Sequence, residues 1–288
     1  MFKNILLLLL SIFIFSSWGI ISKLYTYPVF ELLFVIHFAG VFVGLFHSVK
    51  NKDKRKQLLK INKTTFIIAV VLVSDIFFLV LAYRTTNMAT AITLHYLAPL
   101  LIPFLAIVIL KEHINLKRYM PIAALGLIGT ILVSVDSLSV NPLGLFYGIM
   151  SGITLALIIV LQKKNATKNY ISVLVFQYSM IQSCVDLTLG ILLDQIHLTF
   201  TVGFISLFLL GLVVRHGTLL YNYMLKHLDI SIASILAYGE VALTVMYGFL
   251  LFHQDGSTLE IIGILLIVLA GILIVVKKVD KEEIMESV

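Results

Sequence analysis

The chain has 288 residues, of which 60% are hydrophobic and 12% charged, and its mean hydropathy is +1.07. A soluble globular domain is about half apolar and about a quarter charged, so this chain has too little polar surface to cover a water-soluble body. The formal net charge of +6 points to topology and not to nucleic acid, because the basic residues sit in short connections between apolar runs.

Ten apolar runs of about 20 residues, the length that crosses a bilayer as a helix, lie at 3–22, 28–49, 64–83, 86–110, 117–136, 142–161, 170–193, 201–225, 229–252 and 258–276. Barrel strands would be shorter and would alternate apolar with polar residues. Lys3 followed by "ILLLLLSIFIF" has the look of a signal peptide. No small-x-small cleavage site follows and further spans come at once, so it is expected to be an uncleaved first helix. Trp18 closes that span as an interfacial anchor or as lining of a cavity mouth. Span two holds His37, with Glu31 near its start. The stretch "NKDKRKQLLKINK" (51–63) is a basic linker. Span three carries Asp75 near its middle.

Span four contains "LHYLAP" (94–99) inside the apolar run from Met88 to Leu110. Proline removes a backbone donor and kinks a helix. Pro99 and Pro103 therefore weaken one side of the span and free carbonyls near residues 95 and 99 for a solute, water or a neighbouring side chain. His95 is either a hydrogen-bonded packing histidine or a titrating group facing a cavity. Span six ends near Gln162, at the start of a loop. Span seven holds Gln177, Gln182 and Asp186, and Asp186 is expected to reach water at the outer end, as is Glu31. Span eight carries Arg215 and His216. Span nine carries Tyr238 and Glu240.

A charge at the centre of a spanning helix costs roughly 2.5–3.5 kcal/mol on insertion scales, so such residues should face the bundle interior and find partners. Asp75 and Arg215 fall at similar depth and are expected to pair, either as a static ion pair or as a pair exposed to a solute. Cys184 is the only cysteine, so neither a disulfide framework nor a cysteine metal site is expected. With the N-terminus inside, 18 of the 21 Lys and Arg lie in inside segments and only Lys23 and Arg84 in outside loops. That bias predicts both termini in the cytoplasm.

The segments "ATAITLHYLAPLLIPFLAIVILKEH" (89–113) and "SIASILAYGEVALTVMYGFLLFHQD" (231–255) align without gaps at an offset of 142. Ala91 meets Ala233, Tyr96 meets Tyr238, Ala98 meets Glu240, and Gly129 meets Gly271. Each half carries five spans, and an odd number reverses the second half in the membrane. The expected fold is an all-α membrane protein of ten transmembrane helices in two inverted five-helix repeats. Residues 1–138 form the first repeat, and 139–288 form the second with a short cytoplasmic tail. Inverted repeats are a secondary-transporter architecture with a site near the midplane between halves.

These features resemble the drug/metabolite transporter superfamily, in particular its EamA-type members. The resemblance rests on the two five-span halves, on "WGIISK" closing span one and on the span-four signature "LAP…LKE". It departs at Gln254 where the first half has Glu112, at Val241 opposite Pro99, and at His37 where many relatives carry arginine. It implies alternating access at the cell membrane, driven by the solute's own gradient, by exchange or by a proton. The expected solute is small and organic: an amino acid, an amine, a nucleobase or a drug-like metabolite, with efflux among the expected activities.

Candidate lining residues are Trp18, His37, Asp75, His95, Tyr96, Gln177, Arg215, Tyr238 and Glu240. His95 and Glu240 are the proton-coupling candidates, with Glu240 the expected electrostatic neighbour of His95. No phosphate-binding loop and no metal-ligand cluster is present in the sequence. The expected partners are a small-molecule substrate and membrane lipid, with no cofactor, no metal and no nucleic acid, in a monomer or homodimer. The rival reading is a membrane-embedded enzyme or lipid scramblase, which would cluster catalytic groups at one membrane face or open a polar groove to lipid.

Overall fold

The structure, a computed structural model, describes residues 2–86, 88–135, 141–252 and 257–286. Its described residues are all helical or connecting, in the order α1 (Phe2–Phe15), α2 (Ser17–Leu24), α3 (Val29–Phe46), α4 (Lys52–Gln57), α5 (Lys63–Thr85), α6 (Met88–His95), α7 (Ala98–Ile109), α8 (Leu116–Ser134), α9 (Pro142–Ala166), α10 (Ile171–Leu192), α11 (Val202–His227), α12 (Ile230–Leu236), α13 (Gly239–Phe252) and α14 (Thr258–Glu286). Much of the break signals "DSLSVNP" and "HQDGST", together with Gln254, lies outside the described residues.

Helix starts follow capping chemistry. Asn62 accepts from Thr65 N–H, Asn115 from Arg118 N–H, and Thr201 from Phe204 N–H. Asn141 accepts from Leu143 and Gly144 N–H, with Pro142 at the first helical position where its missing donor costs nothing. Inside the basic linker Asn51 caps the short helix α4, an element that was expected to be loop.

Nine helical stretches among the described residues are long and apolar enough to cross a membrane. Helices α1 and α2 form one of them, α6 with α7 another, and α12 with α13 a third. The seventh expected span is α10, 22 residues long. It is not among the nine, because Gln177, Gln182 and Asp186 dilute its apolar character. The fold is thus an all-helical bundle of nine to ten candidate membrane helices.

The packing pairs are α3 with α10, α8 with α14, α5 with α9, α1 with α11, α3 with α11 and α5 with α10. Exchanging the two halves maps this set onto itself, so the bundle carries a two-fold relation between repeats. Small residues allow the tightest crossings. A Cβ on Gly129 of α8 would lie 2.7 Å from the Gly263 carbonyl of α14, and one on Gly263 would lie 2.5 Å from the Gly129 carbonyl. Either substitution would force the helices apart.

The polarity is inside-out relative to a soluble protein. Large apolar side chains such as Phe42, Phe46, Val108, Phe146 and Leu265 are exposed on the outer surface. His37, Asp75, His95, Asp186, Arg215 and Glu240 are buried in the interior. An exposed apolar surface of this extent requires lipid around it.

Candidate functional site

The two helix breaks place the site. The fourth span is interrupted at Tyr96–Leu97, between α6 and α7, and the ninth at Ala237–Tyr238, between α12 and α13. At the 142 offset the two breaks overlap at Tyr96 and Tyr238 and are displaced by one residue. In the first break Pro103 cannot donate to the Pro99 carbonyl, which instead accepts from Tyr119 Oη at 2.7 Å. Pro99 likewise leaves the His95 carbonyl without its helical donor. That carbonyl lies against Gly152 of α9, where an added Cβ would sit 3.1 Å from it and 2.5 Å from the Leu94 carbonyl. Of the freed carbonyls expected at 95 and 99, the one at Pro99 is taken up by Tyr119 of α8 and the one at His95 packs against Gly152 of α9.

A mostly apolar cavity of about 110 Å³ lies beside both breaks. Its walls come from α1, α2, α5, α6, α9, α10, α11, α13 and both breaks, and so from both repeats. Of the residues expected to line it, Trp18, Asp75, His95, Tyr96, Arg215 and Glu240 do so. His37, Gln177 and Tyr238 are placed elsewhere. Gln177 donates to the carbonyls of Gln57, Leu58 and Lys60, closing the basic linker onto α10. Tyr238 donates to the Ala123 carbonyl at 3.1 Å, so its hydroxyl serves helix packing. His37 lies one shell behind the cavity.

Three polar groupings surround the space. Asp75 Oδ1 accepts from Thr154 Oγ1 at 3.0 Å and from Ser151 Oγ at 3.2 Å, and His95 Nδ1 lies 2.6 Å from Ser151 Oγ and 3.9 Å from Asp75 Oδ1. Tyr96 Oη donates to Glu240 Oε2 at 2.6 Å, which joins the two repeats. Arg215 Nη1 donates to Gln182 Oε1 at 3.2 Å, Gln182 Nε2 lies 3.4 Å from His37 Nε2, and His37 Nδ1 lies 2.5 Å from Asp186 Oδ2.

These contacts correct several expectations. Asp75 and Arg215 do not pair; Asp75 is held by hydroxyls of α9, and Arg215 by an amide of α10. The carboxyl beside His95 is Asp75, while Glu240 is taken by Tyr96. Asp186 is fully buried against His37 and does not reach water. Glu31 is also buried and accepts from the His197 backbone N–H at 3.1 Å. Gln162 is not loop; α9 runs on to Ala166 and Gln162 lines the cavity. Glu112 of the span-four signature lies outside the cavity, 3.1 Å from Lys163 Nζ, and Lys163 also donates to the Leu228 carbonyl.

Ser151 and Thr154 had not been singled out. Their signal was a pair of hydroxyls at i, i+3 in an apolar span, which share a helix face. Small hydroxyl residues are common in membrane helices, so that pattern alone is weak. Tyr221 and Asn222 also line the space and were passed over, within a run that includes Arg215.

The model of the EamA-like transporter family matches residues 2–135 and again 142–276, one copy per half. A solved structure described as "Crystal structure of protein" is similar in fold, with a TM-score of 0.80 at 17% identity. That likeness covers 94% of this chain and 96% of the other. No curated protein matches. The family match over both halves agrees with the apolar helices in making this a multi-pass membrane protein that transports small solutes. The chain belongs to the EamA-like transporter family.

Proposed function

We propose that the protein is a secondary transporter that carries a small organic solute across the cytoplasmic membrane by alternating access, with both termini inside the cell. The observation that carries this reading is the cavity lined from both repeats beside two similarly placed helix breaks. Broken helices at a repeat interface are where transporters hold solutes. Each half then closes over the site in turn, and exchanging the two halves' conformations reverses the open side.

Residues 1–138 and 139–288 act as the two moving units. Asp75, His95, Tyr96, Arg215 and Glu240 contact the solute, with Trp18 supplying apolar contact. His95 and Glu240 are candidates to carry a proton, which makes exchange and proton coupling the two drive mechanisms to separate.

Reconstitution in liposomes tests the reading. Saturable counterflow of labelled solutes from an amino-acid, amine and nucleobase panel is the expected result. Movement of fluorescent lipid without solute counterflow supports a scramblase instead. In the same vesicles His95→Gln should keep counterflow and lose uptake driven by a pH gradient. Full pH-driven uptake by this variant removes His95 as the proton carrier. For the topology, single cysteines at Asp53 and Ser257 in a Cys184→Ala background are labelled on intact cells with an impermeant reagent. Reaction at 257 alone is expected, and reaction at 53 alone reverses the orientation.

A further inference from the structure

Arg215 is buried in the cavity wall with far fewer partners than it can use. A guanidinium has five N–H donors. One bond is made, from Nη1 to Gln182 Oε1. Among the described residues, Nε is buried without a partner and Nη2 forms no hydrogen bond. Among the described residues no carboxylate lies within ion-pair distance of Arg215; the ion pairs there are His37–Asp186, His95–Asp75 and Lys163–Glu112. A cation in this position is costly unless a partner arrives.

Its single contact is oriented by a polarised chain. Arg215 donates, so Gln182 must present Oε1 to it. Gln182 therefore turns Nε2 toward His37, which places the His37 proton on Nδ1, facing Asp186 Oδ2. Each link of this chain then sets one donor against one acceptor. Behind the guanidinium, Gly40 leaves room for its stem: an added Cβ would lie 2.8 Å from Arg215 Cδ. The head group is thus fixed in direction while most of its donors stay unused.

Two carboxyls also line the cavity: Asp75, 3.9 Å from His95 Nδ1, and Glu240, held by Tyr96. Among the described residues, Asp75 Oδ2 and Glu240 Oε1 make no hydrogen bond. A free anion would be repelled there, and a simple cation would be repelled by Arg215.

We propose that Arg215 is the anchor for a carboxylate on the transported solute, with Gln182, His37 and Asp186 as positioning residues and with a hydrogen-bond donor or ammonium on the solute meeting the Asp75–Glu240 side. This rests on the transporter reading and deepens it. Arg suits the role because its planar fork binds a carboxylate through two parallel bonds.

The test uses purified full-length protein in detergent and in liposomes. The probes are the proteinogenic amino acids and 2-hydroxy acids, each beside its own carboxamide, with matched amines as a third arm. At least one carboxylate compound should raise the melting temperature and support counterflow, and its carboxamide should bind about 30-fold more weakly. Arg215→Gln should lose the same preference. Gln182→Glu guards against misfolding of that variant. It puts a carboxylate on Arg215 from within, so the protein should fold, and the carboxylate solute should bind about 10-fold more weakly. Asp186→Asn should raise the half-saturating concentration and leave the maximum rate unchanged.

Undiminished binding by Gln182→Glu, equal binding of acid and carboxamide, or binding of amines alone each overturns the anchor. A loss of maximum rate without a change in half-saturation in Asp186→Asn overturns the positioning role. Counterflow of amines alone leaves the transporter reading standing, whereas no counterflow by any solute removes that reading itself.

Discussion

The two helix breaks share a backbone and differ in chemistry. At the first, His95, Tyr96 and Ala98 meet Pro99 and Pro103. At the second, Ala237, Tyr238 and Glu240 meet Gly239 and Val241, with no proline. Both spans are nevertheless interrupted within one residue of the same relative position, sharing Tyr96 and Tyr238. Proline is therefore one means of making the break, and the packing around it is the common cause. At the first break Gly152 lets α9 approach the Leu94 and His95 carbonyls; at the second, Gly126 admits the Tyr238 ring, whose Cδ2 would lie 2.5 Å from an added Cβ. The polar roles have separated as well. Tyr96 donates to the Glu240 carboxyl, while the equivalent Tyr238 donates to a backbone carbonyl. The two breaks thus have similar backbones and unlike side-chain partners.

Substitutions at the breaks put this comparison under pressure. Gly152→Val should be the most harmful, because its side chain meets backbone oxygen that cannot give way. We expect a loss of about 3 kcal/mol, the upper range for overpacking, read as a fall in melting temperature and in folded yield. Gly239→Ala at the other break should stay within about 1 kcal/mol of wild type, since an added Cβ meets only Ile12 Cγ2 at 3.8 Å. Equal damage from both would mean that close approach does not set the first break.

The two tyrosines should separate next. Tyr96→Phe leaves the buried Glu240 Oε2 without its donor, at a cost of about 1–3 kcal/mol, and should also lower the transport rate. Tyr238→Phe loses one bond to a carbonyl, worth about 1 kcal/mol, with the rate retained. If Tyr238→Phe lowers the rate as much as Tyr96→Phe, the two repeats have not divided their roles.

Pro99→Ala should have the smallest effect, below about 1 kcal/mol, because the second break forms without proline at that position. Restoration of a continuous helix across 95–98, seen as slowed amide exchange there, would return the cause of the break to proline.

Much of the fold was legible because it rests on composition and period. Apolar runs give the spans, Asn and Thr caps fall where the runs stop, and the 142 offset exposes the repeat. Depth was legible too: Asp75, His95, Arg215 and Glu240 were placed mid-span and line the cavity. Partnership was not. Offset and helical spacing give height and face within one helix, but not which neighbour fills the space between two helices. Asp75 and Arg215 have similar heights, yet hydroxyls from α9 hold one and an amide from α10 holds the other. Gln177 failed for the same reason. It was expected to line the cavity, but the carbonyls of Gln57, Leu58 and Lys60 accept from its amide.

The central claim is that one cavity between the repeats opens to each side of the membrane in turn. Leu155 lines that cavity from α9, and Cys184 is exposed and removable. Leu155→Cys in a Cys184→Ala background, reconstituted in liposomes of defined orientation, is treated with an impermeant thiol reagent on one side at a time. The account predicts labelling from either side, no leak of reagent across the bilayer, and slower labelling from both sides when a solute that supports counterflow is present. Labelling from one side only, or labelling accompanied by passage of the reagent through the protein, would contradict it.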